Sequence, residues 1–325
     1  MIENILEDIF RIVLPLPDNP LKTLNSYLIR GDERNLLIDT GFNRQECYDA
    51  LIYAFEKLDV DLDKTDIFVT HMHADHSGLV PKIIRENTTV YCSEVDGRLI
   101  NMCNTDEYWR VLESKFYVHG LPDRNENSEN RSHPGWIFRP KDDIEFTYIK
   151  DGDKIQVGKY SFEAVHTPGH TPGHMCLYDR EKQLLFSGDH ILGDITPVIT
   201  IDLNHTSPLT LYLQSLKMIK DMPIKHIFTA HRRKVDNAYK RIEELEHHHR
   251  KRLDQVLNIL KSGPKNAYET AAEMTWKITA KSWDDFPVQQ KWFATGEAMA
   301  HLLYLWEKNA LKRKSINHNY VFELA

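Results

Sequence analysis

The chain opens on alternation. IFRIVLPL, TLNSYLIRG and RNLLIDTG are short β-branched or leucine-rich runs parted by Pro, Asn, Asp and Gly, the pattern of a strand meander. RQECYDALIYAFEKL then carries its apolar residues at helical spacing, and DIFVTHMH reads as a strand running into a loop. LVPKIIREN predicts a helix and TTVYCSE another strand. Further on, TYIKDGDKIQVG, YSFEAVHTP and MCLYDREKQLLFSGDH predict strands, LTLYLQSLKMIKDM an amphipathic helix, and KHIFTAH a strand entering a loop. Strands first alone and then alternating with helices predict an α/β fold, an αββα sandwich of two mixed β-sheets flanked by helices.

Two stretches break this pattern. Between about 98 and 145, NMCNTDEYWRVLESKFYVHG has helical character, but PDRNENSENRSHPG is polar and turn-rich. A long insertion in a compact domain is either functional or disordered. Trp109, Phe116, Tyr117 and Trp136 make it too aromatic for a linker, so a lid is expected. From about 234 to 261 the chain reads as one long charged helix, VDNAYKRIEELEHHHRKRLDQVLNILK, stopped by SGP. His247, His248 and His249 in it are expected on a solvated face. AYETAAEMTWKI and VQQKWFATGEAMAHLLYLWEKNAL are helical by periodicity, and KRKSINHNYVFELA ends on a basic turn and an alternating strand. Helix, helix and hairpin form a winged-helix arrangement. The apolar face at 287–308, with Trp292, Phe293, Met299, Leu302 and Leu305, is expected to pack that unit's own core. At 325 residues the chain exceeds what one core usually serves. The division expected is a catalytic domain over 1–235 and a helical linker with a small C-terminal winged-helix domain over 236–325.

Composition narrows the class. The formal net charge of −7 argues against a protein that coats nucleic acid. No run approaches the ~18 apolar residues of a membrane span, and MIENILEDIF lacks the basic start and apolar core of a signal peptide. A cytoplasmic protein with no membrane partner is expected. Cys47, Cys92, Cys103 and Cys176 are scattered, as small buried apolar residues rather than a metal or disulfide framework. Histidine is the exception, at 17 residues.

THMHADHSG packs His71, His73, Asp75 and His76 into six residues after a strand. Zinc takes neutral imidazole and carboxylate ligands at about 2.0–2.2 Å. An extended turn can aim two imidazoles at one ion and the following Asp and His at a second. His170 in HTPGHTPGH, Asp189 in FSGDH and His231 in FTAHR each follow a strand-like run, and a chance cluster of polar loop residues does not account for that order.

With these motifs on view, residues 8–235 resemble the metallo-β-lactamase-fold hydrolases. The resemblance implies that His71, His73 and His170 hold a first metal and Asp75, His76 and His231 a second, with Asp189 bridging. It implies two zinc ions, with iron or manganese as alternatives, about 3.5–4 Å apart and sharing an activated hydroxide. Asp75 is then also the catalytic residue that orients the nucleophile or shuttles its proton, and Asp39 in LIDTG supports the site. Asp189 stands where common secreted lactamases have Cys, which points to the glyoxalase II-like, lactonase and ribonuclease-like branches. The usual G-H-G around the last ligand is Ala230-His231-Arg232 here. His174 replaces a small polar residue and is expected to pack; His190 stays open between a cavity role and packing. The C-terminal segment resembles the winged-helix domain of lactamase-like protein 2 relatives, some of which are endoribonucleases. Only Lys312, Arg313 and Lys314 cluster there, so a homodimer contact or closure of the active site is preferred to nucleic-acid binding. The expected activity is hydrolysis of a small ester, thioester or lactone. The alternatives are an endoribonuclease or phosphodiesterase acting on nucleic acid such as RNA, and a mononuclear-iron enzyme like the persulfide dioxygenases.

Overall fold

A computed structural model describes residues 1–122, 133–201 and 207–325. The polar centre of the expected lid, 123–132, lies outside the described residues. The first sheet takes β1 (Ile2–Leu6), β2 (Ile9–Pro15), β3 (Thr23–Ile29), β4 (Asn35–Ile38), β5 (Thr65–Phe68), β6 (Val90–Ser93) and β7 (Thr147–Ile149) in simple spatial order. Its pairs are antiparallel through β4 and parallel beyond it. The second sheet contains β8 (Lys154–Val157), β9 (Tyr160–His166), β10 (Met175–Asp179), β11 (Leu184–Gly188) and β12 (His226–Thr229). It is ordered β12-β11-β10-β9-β8, with only β11 and β12 parallel. Both sheets are mixed, as the alternation of strands and helices predicts.

The layers follow from side-chain parity. In β4, Leu36 and Ile38 point between the sheets, where they meet Phe162, Leu177 and Phe186. Leu37 points the other way, toward Leu51, Ala54 and Phe55 of α1 (Gln45–Lys57). On the far side, Cys176, Tyr178 and Leu185 pack under α7 (Pro208–Lys220) and the first half of α8 (Ala238–Leu260). Helix, sheet, sheet and helix are thus stacked, and the central strands are buried on both faces. All four cysteines are buried and free. No helix among the described residues is long and apolar enough to cross a membrane.

Strand ends converge on short helices: α2 (Ala74–Ser77), α3 (Val80–Ile83), α4 (Glu94–Met102), α5 (Asp106–Tyr117) and α6 (Pro134–Ile137). The helix read from LVPKIIREN is only the four residues of α3, because the chain leaves at Ile84 into a turn closed by the Thr88 N–H on the Arg85 carbonyl. The C-terminal unit comprises α9 (Ala267–Glu273), α10 (Val288–Glu307) and an antiparallel hairpin of β13 (Leu311–Ile316) and β14 (Asn319–Leu324). Val256, Leu260, Ala271, Met299, Leu302, Leu305 and Phe322 form its core.

Two expectations hold only in part. Trp292 and Phe293 sit in the first two turns of α10, which overhang the insertion: Trp292 packs against the unit's core as expected but also stacks on Phe116 of α5 at 3.8 Å and 22°, and both rings line a cavity there. Met299, Leu302 and Leu305 do pack the unit's core. The EHHHR stretch is not a solvated face throughout. His247 is exposed, but His249 is buried on one stripe with Ile242, Leu245, Arg252 and Val256, against Tyr212 and His301.

Candidate metal centre

The motif loops meet at one end of the sandwich. β5 delivers His71 and His73, and α2, for which His73 is the N-cap residue, carries Asp75 and His76. His170 stands in the β9–β10 loop, Asp189 follows β11 and His231 follows β12. Gly169 precedes His170 at φ 140°, and a Cβ there would lie 2.4 Å from the Tyr212 backbone, so the HTPG turn needs glycine.

The seven residues form two overlapping groups. His73 Nδ1 lies 3.0 Å from His71 Nε2 and 3.0 Å from His170 Nε2. On the other side His231 Nε2 is 3.3 Å from Asp75 Oδ2, and His76 Nε2 is 3.8 Å from the same oxygen. Asp189 lies between them. Its Oδ1 is 3.6 Å from His76 Nε2 and 3.4 Å from His231 Nε2, and its Oδ2 is 3.6 Å from His170 Nε2. The triads His71–His73–His170, His71–His76–Asp189 and Asp75–His76–His231 each bring their donor atoms within 4.8 Å of one another.

Outward partners fix which nitrogen faces inward. His170 Nδ1 donates to the Val198 carbonyl at 2.8 Å, and His231 Nδ1 to that of Thr23 at 2.8 Å. His76 Nδ1 donates to Asp39 Oδ2 at 2.7 Å. Asp39, held at φ 59°, also accepts from the Thr70 N–H and hydroxyl. With its proton on Asp39, the Thr70 hydroxyl accepts from His71 Nδ1 at 3.0 Å. Four imidazoles thereby turn Nε2 toward the centre, the arrangement that metal-ligating histidines use.

The electrostatics agree with a missing positive charge. Burial holds His71 and His170 far below the usual imidazole range and His73 down at about 4, so this triad is neutral and ready to donate lone pairs. Burial also works against charge on His76, but Asp39, Asp75 and Asp189 push it up to about 10. Burial raises the Asp189 carboxyl despite His231 and His76. For Asp75 the burial effect is overcome by His76 and His231, which hold it well below the carboxylate range. His76 Nε2, His231 Nε2 and Asp189 Oδ1 are buried without a hydrogen-bond partner. Such orphans are costly unless something else satisfies them. This donor set of imidazoles and carboxylates fits divalent cations of the zinc class.

Asp96 was not legible as a site residue. Fully buried at the start of α4, it accepts from the Met72 N–H (3.0 Å), the Thr171 hydroxyl (2.5 Å) and the Gly173 N–H (2.7 Å). It therefore ties the loop of His71 and His73 to the loop of His170. Gly173 is required beside it, because a Cβ would meet Asp96 Oδ1 at 2.6 Å and Ser93 Oγ at 2.3 Å. Asp96→Ala is expected to weaken metal retention about 10- to 100-fold in chelator competition, the usual effect of losing an outer support of a metal site. Unchanged retention would remove Asp96 from the supporting set.

His174 also supports the site: its Nε2 accepts from the Asp189 N–H at 3.2 Å while Nδ1 contacts the Thr167 hydroxyl at 2.8 Å. His190 does not line the cavity described below; it is fully buried against Tyr212. Arg232, beside His231, turns outward and donates to the Pro20 carbonyl. Beside the first triad lies a cavity bounded by His73 and His170. Its walls come from the insertion, through Leu99, Trp109 and Phe116, and from α10, through Trp292 and Phe293.

Comparison with known proteins shows the family. Residues 22–231 match the model of the Metallo-beta-lactamase superfamily, and residues 253–324 that of the Metallo-beta-lactamase-like, C-terminal domain. A Caenorhabditis elegans protein named beta-lactamase-like protein 2 homolog is 28% identical over 86% of this chain and 79% of its own length. An Aspergillus chevalieri protein named atrochrysone carboxyl ACP thioesterase is 26% identical over 79% of this chain and 68% of its own. The chain spans 66% of a Penicillium aethiopicum lactamase-like protein and 61% of one from Emericella nidulans. Among solved structures, a metallo-beta-lactamase family protein from Thermus thermophilus aligns with a TM-score of 0.81 at 26% identity, over 99% of this chain and 100% of that one. With the family model covering most of its sandwich and the small C-terminal unit matched as well, the chain belongs to the Metallo-beta-lactamase superfamily.

Proposed function

We propose that this protein is a binuclear metal-dependent hydrolase of a small ester, thioester or lactone. The observation that carries the reading is Asp189, which turns one carboxylate oxygen toward each of two imidazole groups. His71, His73 and His170 would hold one cation and Asp75, His76 and His231 the other, with Asp189 shared. Two such cations, zinc ahead of iron or manganese, supply a Lewis acid for the acyl oxygen and lower the pKa of water toward neutrality. Asp75 keeps an ionised carboxylate at the centre, where it would orient the attacking water or pass on its proton. Asp39, Thr70 and Asp96 hold the ligands in register, and the apolar cavity seats the acyl group and excludes bulk water.

The same reading assigns residues 1–235 to the catalytic unit, with 98–145 as its lid, and 236–325 to a helical linker and winged helix. It also places the protein in the cytoplasm, with a homodimer contact available to the C-terminal unit. A small substrate is preferred to RNA because the basic cluster is largely committed within the chain. Arg313 lies over Trp306 at 4.0 Å and over Tyr320 at 4.5 Å, and Lys314 pairs with Glu323 at 2.5 Å.

Elemental analysis of protein reconstituted with zinc is expected to find about two ions per chain, as a two-metal hydrolase requires. The same sample, screened against thioesters, lactones, phosphodiesters and RNA, is expected to turn over the acyl substrates. A ceiling of one ion per chain, with iron the metal retained, would favour an oxygenase and sink the proposal.

A further inference from the structure

The cavity beside His73 and His170 is apolar almost throughout, yet one permanent charge lines it. Leu99, Ile100, Trp109, Phe116, Trp292 and Phe293 are among its apolar lining, and no Asp, Glu or Lys is among its described lining residues. Arg139 is the exception. Its guanidinium lies 3.7 Å from the centre of the Trp136 ring, Nε donates to Asn104 Oδ1 at 3.1 Å, and Nη1 donates to the Trp136 carbonyl. These contacts hold the fork still without an ion pair: among the described residues no carboxylate lies within ion-pair distance, and Asp106 acts on it only from farther off. Burial pushes the guanidinium below its ordinary range, against the opposing pull of Cys103 and Asp106. A partly buried cation with no ion pair is a cost to the fold, so its presence at a cavity wall points to a ligand.

We infer that Arg139 binds a carboxylate carried on the substrate's apolar acyl group, so that the enzyme selects aromatic or other flat acyl esters with one free carboxylate. The inference rests on the hydrolase reading for the word ester; the binding of the anion stands without it. A carboxylate is favoured over a phosphate because one guanidinium balances one negative charge. A dianion would leave a second charge in apolar surroundings. The planar fork matches the two oxygens of a carboxylate, and the flat rings of Trp109, Phe116 and Trp292 suit a flat apolar body. The anion then fixes which way round the acyl group lies, with its reacting carbonyl directed to the end of the cavity that His73 and His170 bound.

The test uses the full chain as purified and reads binding by quenching of tryptophan fluorescence, independently of turnover. The probes are 2-naphthoate, its neutral isostere 2-naphthamide, and 2-naphthyl phosphate. Wild type is expected to prefer naphthoate, and Arg139→Gln to lose about 10- to 100-fold of that affinity, the range for a charged hydrogen bond. Naphthamide should lose clearly less in the same variant, since its carbonyl can accept from the guanidinium but it carries no charge to pair with it. Arg139→Lys keeps the charge but not the fork, and is expected to recover part of the preference with an unchanged melting temperature. A naphthoate preference that survives in Arg139→Gln overturns the inference, as does equal weakening of naphthoate and naphthamide. Tighter binding of the phosphate overturns the carboxylate assignment. A second arm measures hydrolysis of an aryl thioester with and without a ring carboxylate. If neither is hydrolysed while the Arg139-dependent preference persists, the hydrolase reading fails and this one does not.

Discussion

Asp189→Ala is expected to lower kcat by about 10³-fold, the loss of roughly 4 kcal/mol of stabilisation at the reacting centre. It should also cut retained metal below two ions per chain while leaving the metal-free fold intact. The second half of this expectation separates a metal-binding role from a merely structural one. Asp189 is buried, its Oδ1 has no hydrogen-bond partner, and burial raises its pKa, so its charge is a liability to the metal-free fold. Taking it away should leave the melting temperature of the stripped protein unchanged or higher. Wild type, by contrast, gains stability with added zinc as the cation binds only the folded state. The variant should lose most of that gain. A thermal scan of both proteins, stripped and zinc-loaded, checks the pair of outcomes, with elemental analysis alongside. Wild-type turnover in the variant would mean that hydrolysis does not run through this centre. A collapsed melting temperature in the stripped variant would instead make Asp189 part of the fold's own support.

What made the centre legible in the sequence was chemical compression. His71, His73, Asp75 and His76 fall within six residues, and a strand end followed by a tight helix leaves them few directions to point. His170, Asp189 and His231 were legible because each follows an apolar strand with a polar residue in a Gly- or Ala-bearing loop, where packing alone accounts poorly for a buried imidazole or carboxylate. Supports were harder to see. Asp96 reads locally as an acid in the first turn of a helix, which is ordinary helix chemistry. Its work with Met72, Thr171 and Gly173 spans up to 77 positions of sequence separation. Arg139 sits in a polar run, RPKDD, and only the folded structure shows that it lines a cavity without an ion pair. His249 is a different case. Leu245, His249, Arg252 and Val256 follow the 3–4 spacing of one buried stripe, so the signal was present and was masked by the charged residues around it.

The two α10 rings do more than the core packing expected of them, for a reason that leads to the second large effect. Periodicity reports that a face is apolar but not what it faces, and Trp292 and Phe293 share a helix with true core residues. Their rings are half-buried, against the full burial of Met299 and Leu302. Trp292→Ala combined with Phe293→Ala is therefore expected to raise KM for an apolar acyl substrate about 10- to 100-fold, as the loss of roughly 1.4–2.8 kcal/mol of ring contact. kcat should change far less, and metal content not at all, because neither ring touches the seven candidate ligands. Leu302→Ala is the matched control: it opens a cavity in the small unit's core and should cost about 2–5 kcal/mol of stability with little change in KM. Steady-state kinetics and thermal melts on both variants make the comparison. If the ring pair behaves like Leu302, lowering the melting temperature and sparing KM, the C-terminal unit is a structural appendage. If KM moves and stability holds, that unit is a wall of the active site, and a change in α10 alone should shift which acyl groups the enzyme accepts.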